Sequence, residues 1–380
     1  MTSAPTVLRF FQAMNEREAS DLYLTVGFPP SLRIEGTLEH IRPEPLTVDE
    51  INEIIASILT SRQRREFETQ MELNTSLDVG RFGRFRVNCL RQRQFPALVL
   101  RRIVSKIPTF TELKLPPILE RLALEKRGLI LVTGMTGSGK STTLASMIDY
   151  RNTHEEGHII TIEDPIEYFH EHKKSVITQR EVGVDTESYS VALKNVLRQR
   201  PDVILVGEIR DRTVMEQALM AADTGHLCLA TLHTNNASQS IERIVNLFPE
   251  DNHSQIRLNL SNNLKGIISQ RLIPSSKGGM VLAIEIMLNQ GLVRELIHKG
   301  EVTKIKDVME QNVQLGMCSF DQSLIKLYKD ELITEEMALM QADQPGDLKI
   351  RIQQIKLGDA GNKEVLRSIN TGGLKISDDR

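Results

Sequence analysis

The chain has 380 residues, 40% of them hydrophobic and 26% charged, which is enough material for two domains with cores of their own. Its formal net charge of −3 argues against the broad basic surface of a protein that tracks along nucleic acid, although a local basic groove stays open. Three scattered cysteines, Cys89, Cys228 and Cys318, include no C-x-x-C pair, so neither a disulfide framework nor a structural zinc is indicated and a reducing, cytosolic compartment is expected.

The N-terminal stretch "MTSAPTVLRFFQAMNEREASD" lacks a continuous apolar core, and no run approaches the ~18 apolar residues of a membrane span. Work at a membrane would therefore go through other proteins. Within this stretch "TVLRFFQAMNE" reads as an amphipathic start. Leu22 and Leu24, then Leu32 and Ile34, alternate with polar residues around the turn signal Gly27-Phe28-Pro29-Pro30, which predicts a hairpin. Thr47 is placed as the N-cap of "VDEINEIIASIL", with Glu50 closing a capping box. "RFGRFRVNCL" and "FPALVLRRIV" read as further strands, completing an α+β domain over 1–103.

The segment "SKIPTFTELKLPP" has three prolines and no sustained period, and marks a linker over 104–117. After it, apolar strands alternate with glycine-rich turns and helices, the pattern of a parallel α/β sheet. A second domain, of α/β class and closed by C-terminal helices, is expected over 118–344. From about Asp251 onward the reading is mostly helical, including "LVRELIHKG", "VTKIKDVMEQ", "SFDQSLIKLYKD" and "TEEMALMQA". Residues 345–380 turn polar, and a partly disordered tail is expected there.

Four elements carry chemistry. In "VTGMTGSGKSTT", Gly134, Gly139, Lys140 and Ser141 stand at the spacing G-x-x-x-x-G-K-[ST], after a strand and at the start of a helix. Backbone N–H groups from Gly134 through Thr136, Gly137, Ser138 and Gly139 to Thr142 would surround phosphate oxygens of ATP. Lys140 would reach the β and γ phosphates and Ser141 would ligate Mg²⁺. The second element, "PDVILVGEIRD", is a buried strand with Glu208 at its C-terminal end, a carboxylate suited to ordering the metal or the attacking water. The third, "ITIEDPIEY", sets Glu163 and Asp164 just past another apolar strand. Glu163 is favoured as general base and Glu208 for the metal shell, and residue order alone does not separate the two roles. His226 and His233 flank the strand of "GHLCLATLHTNN" as further candidates.

In order and spacing, "GMTGSGKST", "ITIEDPIEY", "VGEIRD" and "TGHLCLATLHTNNA" resemble the secretion ATPases of type IV pili and type II secretion. Within that superfamily the chain, from about residue 6 to 343, is similar to the pilus retraction ATPases of the PilT/PilU family. The resemblance implies a PAS-like N-terminal domain, a RecA-like ATPase domain, a helical C-terminal region and a hexameric ring. The additional N-terminal domain and four-cysteine zinc insertion of extension and type II secretion ATPases are not found. It also implies that Arg86 and Arg101, in "RFRVN" and "LVLRRI", reach the nucleotide phosphates and serve catalysis, while "QRQ" at Gln92 to Gln94 departs from the family's arginine placement. In "LVRELIHKG", Arg294, Leu296 and Ile297 keep a motif needed for retraction, but Leu292, Glu295 and His298 depart from it. Those departures and the long tail point to the PilU branch. That branch implies an accessory retraction motor beside a PilT-type ATPase, with a PilC-type platform protein as partner, at the cytoplasmic face of the inner membrane and the cell pole. A pilus extension or type II secretion ATPase, a regulatory nucleotide-binding subunit and a nucleic-acid motor stand as the rival readings.

Overall fold

The computed structural model describes residues 6–103 and 106–357. In chain order, the first part comprises α1 (Thr6–Glu16), β1 (Asp21–Thr25), β2 (Ser31–Ile34), β3 (Thr37–His40), α2 (Val48–Ile58), α3 (Ser61–Gln70), β4 (Glu72–Asp78), β5 (Arg84–Gln92) and β6 (Phe95–Ile103). There follow α4 (Ile118–Ala123), β7 (Gly128–Thr133), α5 (Lys140–His154), β8 (Gly157–Glu163), β9 (Ser175–Glu181), α6 (Tyr189–Val196), β10 (Val203–Val206), α7 (Arg212–Asp223), β11 (Leu227–Leu232), α8 (Ala237–Val245) and α9 (His253–Asn263). The last part runs through β12 (Leu264–Pro274), β13 (Met280–Leu288), α10 (Leu292–Lys299), α11 (Ile305–Gln311), α12 (Phe320–Lys329) and α13 (Glu335–Gln341). The chain forms two compact units, one of Met1–Leu115 with Leu144–Glu208, the other of Pro116–Thr143 with Ile209–Arg380.

In the first unit an antiparallel sheet has the strand order β3-β2-β1-β6-β5-β4. Its inner face alternates, with Phe85, Val87 and Cys89 on β5 buried and the residues between them partly exposed, as a sheet covered on one side requires. Helix α1 covers it because Val7, Phe10, Phe11 and Met14 recur at helical spacing and all join this core. Helix α2 starts where expected: the Thr47 side chain accepts from Glu50 N–H and the Glu50 carboxylate accepts from Thr47 N–H. The hairpin pairs Leu22 with Leu32 as read from their alternation. The same unit carries β8 flanked by β10 and β9, all parallel.

In the second unit β7 lies between β11 and β12, parallel to both, and β13 runs antiparallel to β12. All six residues of β7 are buried, so an unbroken apolar run marks a strand covered on both faces. The hairpin of β12 and β13 corrects the mostly helical reading past Asp251. Leu264, Ile267, Ile268 and Leu272 are spaced as on a helix face, yet nine registered pairs with β13 and a place beside β7 make the segment a strand. Tertiary pairing overrides the local period. The four C-terminal segments read as helices are α10 to α13. The polar stretch from 345 opens with a helix over 345–357. Its Leu348 and Ile352 enter a core with Ile273, Phe320 and Leu324, so the partly disordered tail expected over 345–380 is ordered over its first thirteen residues, and the remainder of it lies outside the described residues.

Candidate active site

The phosphate loop is built by three glycines that L side chains could not replace freely. Gly134, Gly137 and Gly139 have φ of 144°, 80° and 89°. A Cβ on Gly134 would meet Ser138 Oγ at 2.4 Å and the Gln270 carbonyl oxygen at 2.5 Å, so only glycine lets the loop turn so tightly off β7. Helix α5 begins at Lys140, whose Nζ donates to the carbonyl oxygens of Gly134 at 2.8 Å and Met135 at 3.0 Å. The ammonium is thus held over the loop, and Lys140 is 8% exposed.

Ser138 Oγ is buried without a hydrogen-bond partner among the described residues. An unsatisfied buried hydroxyl is costly unless a ligand completes it, and a phosphate oxygen would. Thr136 and Ser141 are exposed and Thr142 is half-buried, at the positive end of a 15-residue helix. Beside the loop lies a cavity of about 640 Å³, lined by Gly134 to Ser138 together with Asn235, Gln270, Leu272 and Met280. These residues fit a nucleotide.

In the first unit Glu163 ends β8, and Glu208 lies two residues beyond β10. Parallel pairing of Val206 with Ile162, and the bond from Gly207 N–H to the Ile162 carbonyl oxygen at 2.8 Å, bring the two strand ends together. A Cβ on Gly207 would lie 3.2 Å from Glu163 Cα, so glycine here permits the close approach. Thr161 Oγ1 donates to Glu163 Oε1 at 2.6 Å and Gln179 Nε2 at 3.3 Å. Burial outweighs these bonds and pushes the Glu163 carboxyl up to about 7. A carboxylate of that basicity suits proton abstraction near neutral pH. Asp164 is exposed.

Arg86 and Arg101 face each other across β5 and β6. Arg101 Nε donates to buried Asp21 Oδ1 at 2.8 Å, which holds the guanidinium pKa above its ordinary value. Arg86 lies 3.7 Å from Glu167, a half-exposed pair of the kind that contributes little.

The two histidines separate. β7 and β11 pair Leu232 with Thr133 and Leu227 with Gly128. His233, exposed just past Leu232, is therefore at the phosphate-loop end, whereas His226, seven residues earlier, lies beside Gly128, about 23 Å away at the usual rise per residue. There His226 Nδ1 is 3.1 Å from both Thr224 Oγ1 and the Ala221 carbonyl oxygen. Within one chain His226 is thus at the end of β11 away from the phosphate loop, bonded to the last turn of α7. Both histidines stand at strand ends in the sequence, but only the strand direction says which end faces the phosphates.

Residues that the motifs do not mark also reach this site. Gln270 on β12 donates from Nε2 to Thr143 Oγ1 at 2.6 Å, and its Oε1 is buried without a hydrogen-bond partner among the described residues. It is the middle of three polar residues, Ser269, Gln270 and Arg271, between the apolar pairs Ile267-Ile268 and Leu272-Ile273, which say nothing of a site until the segment is known to be a strand beside β7. Among the described residues no group of three or more His, Cys, Asp or Glu converges as in a protein-only metal cage. Mg²⁺ here would share the nucleotide's oxygens, as is usual for that ion.

On α10, Val293, Leu296 and Ile297 are buried while Leu292 is 53% exposed. Arg294 Nη2 donates to Asn262 Oδ1 at 2.6 Å, and Glu295 pairs with Lys299 at 3.7 Å.

The profile of the family described as type II/IV secretion system protein matches residues 9–301. The type IV pilus ATPase PilU of Pseudomonas aeruginosa is 48% identical over 373 residues, covering 98% of this chain and 97% of PilU. The retraction ATPase PilT of the same organism is 43% identical over 327 residues, covering 86% of this chain and 95% of PilT. A crystal structure of the pilus retraction motor PilT with bound ADP superposes with a TM-score of 0.86 at 44% identity, covering 90% of this chain and 98% of that one.

Proposed function

The chain belongs to the type II/IV secretion system protein family, and from that premise we propose that it is an ATPase motor that powers type IV pilus retraction beside a PilT-type ATPase. The observation that carries this reading is its likeness to PilU along nearly the whole length of both chains, with the phosphate loop intact. Backbone N–H groups from Gly134 to Thr142 and the Lys140 ammonium would bind the phosphates. Ser141 and Glu208 would each offer an oxygen to Mg²⁺, which when bound neutralises charge on the phosphate oxygens. Glu163 would take the proton of the attacking water, and its raised basicity supports that role. His233 stands by for contact with the phosphates, and Arg86 and Arg101 would stabilise charge that develops on the transferred group.

The working assembly is a homohexamer whose ATP-driven domain movements turn a PilC-type platform protein and withdraw pilin subunits. No described helix is long and apolar enough to cross a membrane. The motor would act from the cytoplasmic face of the inner membrane, at the pole, through that platform. Departures at Leu292, Glu295 and His298 favour an accessory role over an autonomous one.

The test is retraction, counted with labelled pili in cells that lack the principal retraction ATPase. The expected result is no retraction from this protein alone, and Lys140-dependent retraction once a hydrolysis-dead PilT is supplied. Pilus loss on deletion of this protein, in place of surplus surface pili, would instead indicate an extension ATPase.

A further inference from the structure

Thr133, Ser269 and Glu285 stand abreast on three neighbouring strands, Thr133 paired with Ser269 and Ser269 with Glu285. All three are buried. Thr133 Oγ1 donates to Ser269 Oγ at 3.1 Å, and Ser269 Oγ donates to Glu285 Oε1 at 3.1 Å. The same Oε1 accepts from the backbone N–H of Ala237 at 2.7 Å.

Each end of this chain of bonds is next to a loop that lines the cavity at the phosphate loop. Thr133 is the last residue of β7, immediately before Gly134, and Ala237 is the first residue of α8, four residues after His233. Asn236 caps α8 by accepting from Gln239 N–H, so Glu285 satisfies a different, buried N–H of the same turn. Burial pushes the Glu285 carboxyl up to about 7, Asp343 adds to the rise, and the Ala237 and Ser269 bonds with the Arg271 charge oppose it. A charged or half-charged carboxyl is retained in the interior where an apolar residue would fill the space without that penalty.

We propose that Glu285 is a positioning residue for ATP hydrolysis, which ties the root of the phosphate loop to the start of the helix after His233 so that the two loops hold one fixed spacing around the phosphates. The proposal rests on the ATPase reading above. Glu285 lines no part of the phosphate loop itself and would touch neither nucleotide nor metal. Its effect is on geometry at the moment of turnover, where a misplacement of about 1 Å can cost on the order of a hundredfold.

The experiment compares Glu285→Gln, Glu285→Leu and Ser269→Ala in the full-length protein, reading kcat and KM for ATP, the Kd of a fluorescent ATP analogue, and the melting temperature. Glu285→Gln keeps a carbonyl oxygen for Ala237 and Ser269 and should stay within about threefold of the parent in kcat. Glu285→Leu and Ser269→Ala should lower kcat about tenfold or more with Kd changed by less than about threefold. A folded Glu285→Leu or Ser269→Ala with parental kcat overturns the proposal, as does a parallel loss of affinity and turnover. Should Glu285→Leu not fold, Ser269→Ala decides, because it leaves the Glu285 bond to Ala237 in place. No turnover in the unaltered protein would sink the ATPase reading itself, and the proposal with it.

Discussion

Lys140 Nζ lies 2.8 Å from the carbonyl oxygen of Gly134, six residues earlier in the chain. The loop's own backbone thus holds the cation in place before phosphate arrives, and binding exchanges carbonyl contacts for stronger charge-assisted ones. Lys140→Ala should abolish nucleotide binding, with the fold preserved. Equilibrium binding of a fluorescent ATP analogue checks this, and retained affinity would remove Lys140 from the phosphate site.

Two glycines of the loop should respond differently to one methyl group. At Gly134 a Cβ would sit 2.4 Å from Ser138 Oγ, but at Gly137 nothing lies within 4 Å. Gly134→Ala should destabilise the protein by about 1–3 kcal/mol through overpacking, in addition to backbone strain. Gly137→Ala carries the strain alone, roughly 1 kcal/mol. Urea unfolding of both variants measures the difference, and equal midpoints would contradict the close packing around Gly134.

Glu163 gives two pH signatures of fixed sign. As a base it must be ionised, so kcat should fall about tenfold per unit as pH drops below about 7, and Glu163→Gln should bind ATP without turnover. As a carboxyl raised from 4.5 to about 7 by burial, it adds stability below 4.5 that is lost as pH rises through 7. Glu163→Gln should therefore be at least as stable as the parent at alkaline pH. A flat kcat profile across the range would assign the base elsewhere.

Glu208→Gln should bind ATP and fail to hydrolyse it, since an amide is a poorer ligand for a hard cation than a carboxylate. Turnover at the parental rate, measured over a series of Mg²⁺ concentrations, would refute the metal role.

The polar stretch after 344 is tied to the fold by two apolar residues. Ile352 is fully buried against the core of Phe320 and Leu324, so Ile352→Ala should lower stability by about 2–5 kcal/mol. Thermal unfolding tests it, and an unchanged transition would mean that the helix over 345–357 does not dock.

Legible in the amino-acid sequence by itself is whatever a few adjacent residues dictate among themselves. The capping box of Thr47 and Glu50 is closed by groups three residues apart, the phosphate loop by a glycine pattern whose φ values no other residue adopts as readily, and the unbroken apolar run of β7 by its burial on both faces. Each is a local requirement, so it is written locally.

The neighbours across a sheet are not. Thr133 meets Ser269 across 136 positions of sequence, and β12 was hidden by apolar residues spaced as on a helix. His226 and His233 flank β11 in the sequence as in the fold, but which of them stands at the phosphate-loop end follows only from the pairing of β11 with β7. Only the tertiary structure decided which polar residues stand at the root of the phosphate loop, because strand order and register come from pairing between distant segments and leave no periodic trace in any one of them.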